Sequence, residues 1–215
     1  MKLFFDVDGV LIDGWHANAA LRKPWSDSLE ADLGVNVKDF EAVFFVIAEG
    51  ERISIMDSCV MGKRDLKEAL QTVLPTLGYQ GSVDDFVSYW FEKDSNINLE
   101  VFDIVAQLKA IPEVELFVAT GQEHYRALYL WDQLAFSSHF ERIFYSANIG
   151  YLKSNTKFFE VINTELGIAE LVQTPLFFDD SEAVVEAAIE AGWEGVVFNS
   201  VDDLRQHPRI SELIG

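Results

Sequence analysis

The stretch Leu3-Phe4-Phe5-Asp6-Val7-Asp8-Gly9-Val10 decides the fold. An apolar run ends in two carboxylates two positions apart, and a glycine follows. A buried strand that stops at Asp6 projects acids from its C-terminal end into a crevice, where open α/β sheets bind ligands. Strand alternation points Asp6 and Asp8 to the same side. Two carboxylates that converge repel each other unless a cation lies between them or one keeps a proton. The first arrangement suits Mg²⁺, which is bound by one or two carboxylates together with substrate phosphate. The second suits a nucleophile beside a general acid. Two ordinary surface acids at a strand end are the plain alternative.

Downstream, residues 35–50 carry Phe40, Val43, Phe44 and Ile47 at helical spacing, and residues 63–74 carry Leu66, Leu70, Val73 and Leu74. Ser82-Val83-Asp84-Asp85 resembles a capping-box start that leads into Phe86, Tyr89 and Trp90. Glycines punctuate the stretch. Residues 15–93 therefore read as a small helical bundle inserted after the first strand. From Asn96 the pattern becomes alternating helix and strand. Helical faces at Val101–Leu108, Tyr125–Leu134, Phe158–Leu166 and Val184–Ile189 separate strands at Val114–Ala119, Ile143–Tyr145, Pro175–Phe178 and Val196–Phe198. Strands joined by helices of this length predict right-handed crossovers and a parallel sheet. The fold class is α/β, a Rossmann-like parallel sheet with a small all-α cap. The expected division is a core of residues 1–14 and 94–215 and a cap of residues 15–93.

The chain has 215 residues, with 16 Lys+Arg against 36 Asp+Glu and a formal net charge of −20. That balance argues against a nucleic-acid partner, which requires a basic footprint, and against an anionic membrane surface. It leaves a small anionic substrate open, provided the pocket supplies a cation. The single cysteine, Cys59, fits a reducing compartment and a buried apolar position. The apolar start is too short for a signal segment, and no run reaches membrane-spanning length. The chain reads as a soluble cytoplasmic protein of undetermined oligomeric state.

Three further strand ends carry polar groups. Thr120-Gly121-Gln122 offers a hydroxyl and backbone N–H groups to an anion, or Thr120 serves simply as a helix cap. Lys153 is a compact positive charge suited to phosphate or to a carboxylate pair, or is a solvated surface lysine. Asp179-Asp180, after the apolar Phe177-Phe178, would be costly to bury unpaired; Ser181 caps the next helix.

In order, acid–x–acid, threonine, lysine and acid–acid, each after its own strand, resemble the haloacid dehalogenase-like hydrolase superfamily over nearly the whole chain. The helical insertion resembles the cap of the subclass that includes β-phosphoglucomutase and phosphoglycolate phosphatase. Two positions depart from the family pattern. Ser154 follows Lys153 where proline is usual, and Gly121 follows Thr120 where asparagine is usual. The resemblance implies that Asp6 attacks phosphorus to form an aspartyl-phosphate and that Asp8 protonates the leaving oxygen. It implies a Mg²⁺ site made by the Asp6 carboxylate, the Asp8 main-chain carbonyl and Asp180, with Asp179 a further ligand or a neighbour of one. It implies that Thr120, Gly121 and Lys153 hold the phosphate of a small phosphorylated metabolite. Within this resemblance a phosphatase is favoured, and a phosphomutase is the nearest alternative. A dehalogenase is disfavoured by Asp8, and a phosphoacceptor signalling domain by the helical insertion.

The lesser candidates take structural roles first. His16, His124, His139 and His207 lack metal-ligand spacing. Lys63 and Arg64 are read as a solvated helix start before an anion contact. Trp15, Trp25 and Trp90 are read as packing between cap helices before lining a pocket.

Overall fold

The computed structural model describes residues 1–13, 24–168 and 173–215. Trp15 and His16, and the expected domain boundary at 14/15, lie outside the described residues. Five strands form one sheet: β1 (Lys2–Phe5), β2 (Glu115–Thr120), β3 (Arg142–Tyr145), β4 (Leu176–Asp179) and β5 (Glu194–Val197). Their order is β3-β2-β1-β4-β5, and all four pairings are parallel. The chain steps outward from β1 to β2 to β3. It then returns across the sheet to place β4 against the other side of β1. This reversal makes the crevice at the carboxyl ends of β1 and β4 a topological switch point.

The strands alternate between two cores. Phe4, Phe117 and Phe177 face one, beneath Phe159 and Trp193. Leu3, Phe5, Leu116, Val118, Leu176 and Phe178 face the other. Both faces are covered, as expected for a parallel sheet, which accounts for the nearly continuous apolar strand sequences.

The described insertion holds α1 (Leu29–Leu33), α2 (Val37–Phe44), α3 (Ile55–Val60), α4 (Leu66–Val73) and α5 (Val83–Lys93). Its core is separate from the sheet's and is strongly aromatic: Phe40, Phe44, Phe86 and Trp90 join Leu66 and Leu70. Trp25 stacks on Trp90 with ring centroids 4.6 Å apart. Asn36, Ser54, Asp65 and Ser82 cap α2 to α5 in turn by accepting an N–H from the first turn. The helix expected over residues 35–50 ends at Phe44, and Val43 and Ile47 of the expected stripe are exposed at 41% and 53%. Phe40 and Phe44 in its first two turns pack on Phe86 and Trp90 of α5. Cys59 is buried in this cluster, and burial pushes its thiol up to about 12.

The core helices are α6 (Leu99–Lys109), α7 (His124–Leu128), α8 (Ser146–Ile149), α9 (Thr156–Leu166), α10 (Glu182–Glu190), α11 (Val201–Arg205) and α12 (Pro208–Ile214). The helix expected through Leu134 is α7 followed by a wider π turn at Tyr129–Gln133. The segments that leave and re-enter the core lie side by side. The Asp13 N–H donates to Asn96 O at 2.8 Å, and the Asn98 N–H donates to Leu11 O at 2.9 Å. Among the described residues no helix is long and apolar enough to cross a membrane.

Candidate active site

Because the strands are parallel, every strand-end group falls on one edge. The Asp6 N–H continues the ladder by donating to Phe178 O at 2.9 Å, which sets the Asp6 side chain beside the end of β4. The chain then turns tightly at Gly9, whose φ of +83° is costly for any side-chain-bearing residue. A Cβ at Gly9 would lie 2.3 Å from Asp180 Oδ2, so only glycine lets that carboxylate approach the turn.

Asp6, Asp179 and Asp180 each present an oxygen, and these three atoms lie within 4.8 Å of one another. Lys153 Nζ is 2.5 Å from Asp6 Oδ1 and 2.6 Å from Asp179 Oδ2. Lys153 comes from the loop after α8, which the Asn155 N–H closes by donating to Leu152 O at 2.9 Å. Asn155 also caps α9. This turn forms with Ser154 in the place where the family has proline.

Burial is the main force raising the Asp6 carboxyl well above its usual range. Repulsion from Asp179 and Asp8 adds to it, and Lys153 opposes it. Burial alone would lower the Lys153 ammonium, but the Asp6 and Asp179 carboxylates hold it above its usual value. Lys153 is therefore fully charged, and one ammonium is shared by two carboxylates, with a third beside them. The uncompensated negative charge and the all-oxygen donor set suit a hard divalent cation such as Mg²⁺.

Thr120 ends β2 with no solvent exposure, and its Oγ1 has no hydrogen-bond partner among the described residues. It does not cap the next helix. Glu123 does so, accepting from the N–H groups of Tyr125 and Arg126. A buried hydroxyl without a partner is costly, and a ligand oxygen at this strand end would satisfy it. Ser181 likewise occupies a cap position without making the bond; instead its N–H donates to Asp179 Oδ1 at 2.9 Å.

Asp8 lies apart from the three clustered acids. Its Oδ2 accepts from Gln122 Nε2 at 2.5 Å, and with Gly121 and Gln122 it lines a cavity of about 130 Å³ beneath the helical insertion. The insertion supplies Trp90 and Phe91 to that cavity, and Asp94 joins at the point where the chain re-enters the core. Gly62 allows close contact of the two parts: a Cβ there would lie 2.3 Å from Ala147 O. Tyr125 Oη donates to Asp65 Oδ2 at 2.8 Å across the same seam. Lys63 and Arg64 are exposed and lie outside the cavity lining.

Asp6, Asp8, Thr120, Gly121, Lys153, Asp179 and Asp180 thus share one rim. The sequence reading missed the contact of Gln122 with Asp8 and the presence of Asp94, Glu123 and Arg126 in the cavity. Only Gln122 had a signal, its place two residues beyond Thr120.

The structure is similar to that of a HAD family enzyme from Bacteroides thetaiotaomicron in complex with magnesium and inorganic phosphate. The TM-score is 0.67 at 15% identity, over 91% of this chain and 92% of that one. It is also similar to L-2-haloacid dehalogenase from Xanthobacter autotrophicus, with a TM-score of 0.56 at 16% identity over 90% of this chain and 75% of that one. These likenesses establish the fold. No curated protein matches the chain. The family model described as haloacid dehalogenase-like hydrolase matches residues 3–192, and the chain belongs to that family.

Proposed function

We propose that this protein is a Mg²⁺-dependent phosphatase of a small phosphomonoester that works through an aspartyl-phosphate on Asp6. The observation that carries this reading is the separation of Asp8 from the acid cluster. Its carboxyl is held by Gln122 in the lining of the cavity, where a leaving group would sit. A reaction that expels halide needs no acid there; one that expels an alkoxide does.

Asp6, Asp179 and Asp180, with the Asp8 main-chain carbonyl, are the groups that would hold Mg²⁺. When bound, the metal offsets the repulsion between the Asp6 carboxylate and the phosphate dianion. In the first half-reaction an Asp6 oxygen attacks phosphorus and the ester P–O bond breaks. The departing oxygen takes the Asp8 proton. In the second, Asp8, now a carboxylate, takes a proton from water. The water oxygen attacks phosphorus, and the Asp6 carboxylate leaves with its electron pair. Lys153 stabilises the charge that spreads onto the phosphoryl oxygens, and the Thr120 hydroxyl donates to one of them. The helical insertion covers the site and excludes bulk water during transfer.

The test uses Asp8→Asn with Mg²⁺ on two esters. An aryl phosphate has a good leaving group and needs little protonation. The variant is expected to lose about 10²-fold or more on an alkyl ester and far less on the aryl ester. Equal losses refute the acid role, and phosphate release that is indifferent to chelator refutes the metal requirement.

A further inference from the structure

The alcohol half of a phosphomonoester would enter the cavity beside Asp8. The cavity measures about 130 Å³. That is well under the roughly 300–1,000 Å³ of pockets for drug-sized ligands. At the ~30 Å³ a small group occupies in a liquid, it holds roughly four non-hydrogen atoms.

Its charges are one-sided. Asp8, Asp94 and Glu123 line it, and among the described residues Arg126 is the only cationic side chain that does. Arg126 is buried and already engaged. Its Nη1 donates to Phe91 O and Ser95 Oγ, both at 2.9 Å, and its Nη2 donates to Asp94 O. Glu123 is engaged as well, with both oxygens capping α7. Asp94 differs. Its side chain keeps 35% exposure, and its carboxylate stands 4.0 Å from Arg126 Nη2, beyond hydrogen-bond reach. The indole of Trp90 is its side-chain hydrogen-bond partner.

Resting on the phosphatase reading, we propose that the site takes the phosphomonoester of a short alcohol that ends in an ammonium group. Asp94 is the counter-ion of that group, and the rings of Trp90 and Phe91 flank it. An ammonium is attracted both by a partly desolvated carboxylate and by aromatic faces. A second anion, whether the carboxylate of a phosphoglycolate or the second phosphate of a mutase intermediate, would face the Asp94 carboxylate, and among the described residues that line the cavity no cation is free to meet it. The field in the cavity agrees. Burial, and then the charge of Asp8, push the Asp94 carboxyl up to about 7 against the lowering by Arg126. Burial likewise pushes Glu123 up to about 7. Burial is the first cause for both, and a cation bound beside Asp94 would act against it there.

The experiment measures kcat/KM of the full chain with Mg²⁺ on three esters of matched size: 2-aminoethyl phosphate, propyl phosphate and phosphoglycolate. An aryl phosphate is the control. The ammonium ester is expected to exceed the neutral one by about 10-fold and the anionic one by about 100-fold or more. Asp94→Asn should cost the ammonium ester about 10-fold, chiefly in KM, and leave propyl phosphate within about 3-fold. Phosphoglycolate turned over as well as the ammonium ester overturns the inference on the wild type alone, whatever the variant does. Equal losses of Asp94→Asn on both esters overturn the role of Asp94. Hydrolysis of the aryl ester with no preference among the three defeats this inference and leaves the phosphatase reading standing. No hydrolysis of any ester defeats both.

Discussion

The cleft contains two acidic clusters that meet opposite fates. At the sheet edge Asp6, Asp179 and Asp180 crowd together, and a buried lysine stands between two of them. Under the helical insertion Asp8, Asp94 and Glu123 line a cavity whose arginine is committed largely to backbone carbonyls. The first cluster carries its own cation and has oxygens close enough to share another. The second is dispersed and partly aromatic, and among the described residues that line it no cation is free. Position in the fold makes the difference. Strand ends converge at fixed spacing and can build a tight oxygen cluster. A cavity between two packed parts is as wide as the side chains that line it, and selects by shape and sign of charge. The same residue type therefore serves covalent and metal chemistry in one place and recognition in the other.

The largest effect expected from breaking this contrast is at Asp6. Asp6→Asn should lower phosphate release by about 10³-fold or more, since it removes the carboxylate proposed to attack phosphorus. Its melting temperature should be unchanged or higher, because burial and neighbouring acids disfavour the charge that is removed. Retention of more than a few per cent of activity would remove Asp6 from the role of nucleophile.

Lys153→Met tests whether the sheet-edge cluster depends on its internal cation. Removal of one partner of a buried ion pair leaves uncompensated charge and typically costs about 3–5 kcal/mol. Denaturant unfolding should show a loss of that order, and added Mg²⁺ should raise the variant's stability more than the wild type's. An equal response to Mg²⁺ would mean that the ammonium and the metal do not answer the same charge.

Glu123→Gln probes the second cluster and has the smallest expected effect. The Glu123 carboxyl is raised from 4.5 to about 7 in the fold. The native state therefore holds its proton more tightly than the unfolded chain. The stability this contributes is full below pH 4.5 and is lost as pH rises through about 7, a change of about 3 kcal/mol at most. The glutamine variant should show a flatter fall of melting temperature across that window. A slope identical to the wild type's would place Glu123 outside the titration.

Much of the sheet edge was legible in the sequence because its signals are local. The apolar runs of β1, β2 and β4 end at the residues that reach the rim, so Asp6, Thr120 and Asp179 announce their own positions; Lys153 also reads as a strand-end group, but it reaches the rim from the loop after α8, not from the end of β3. The helical insertion was legible as a class from its apolar stripes and glycines, although its second helix stops nearly two turns early and leaves Val43 and Ile47 exposed. Thr120 and Ser181 were ambiguous because a hydroxyl before a helix reads the same whether it caps or binds. Glu123 performs the cap in one case, and Asp179 receives the free N–H in the other. Asp94 and Arg126 gave no signal. An aspartate after a helix and an arginine within one are common on any surface, and their meeting depends on how the insertion folds back.

The sequence by itself determined a parallel α/β sheet, the order in which polar groups follow its strands, and an inserted helical unit. Hydrophobic period and strand-end chemistry are properties of short segments and survive without knowledge of the whole. Only the tertiary structure decided that Gln122 holds Asp8, that Gly9 admits the Asp180 carboxylate, and that Arg126 is bound to carbonyls of the returning chain. These contacts join residues about 30 to 170 positions apart, and such distances close only once two cores have packed.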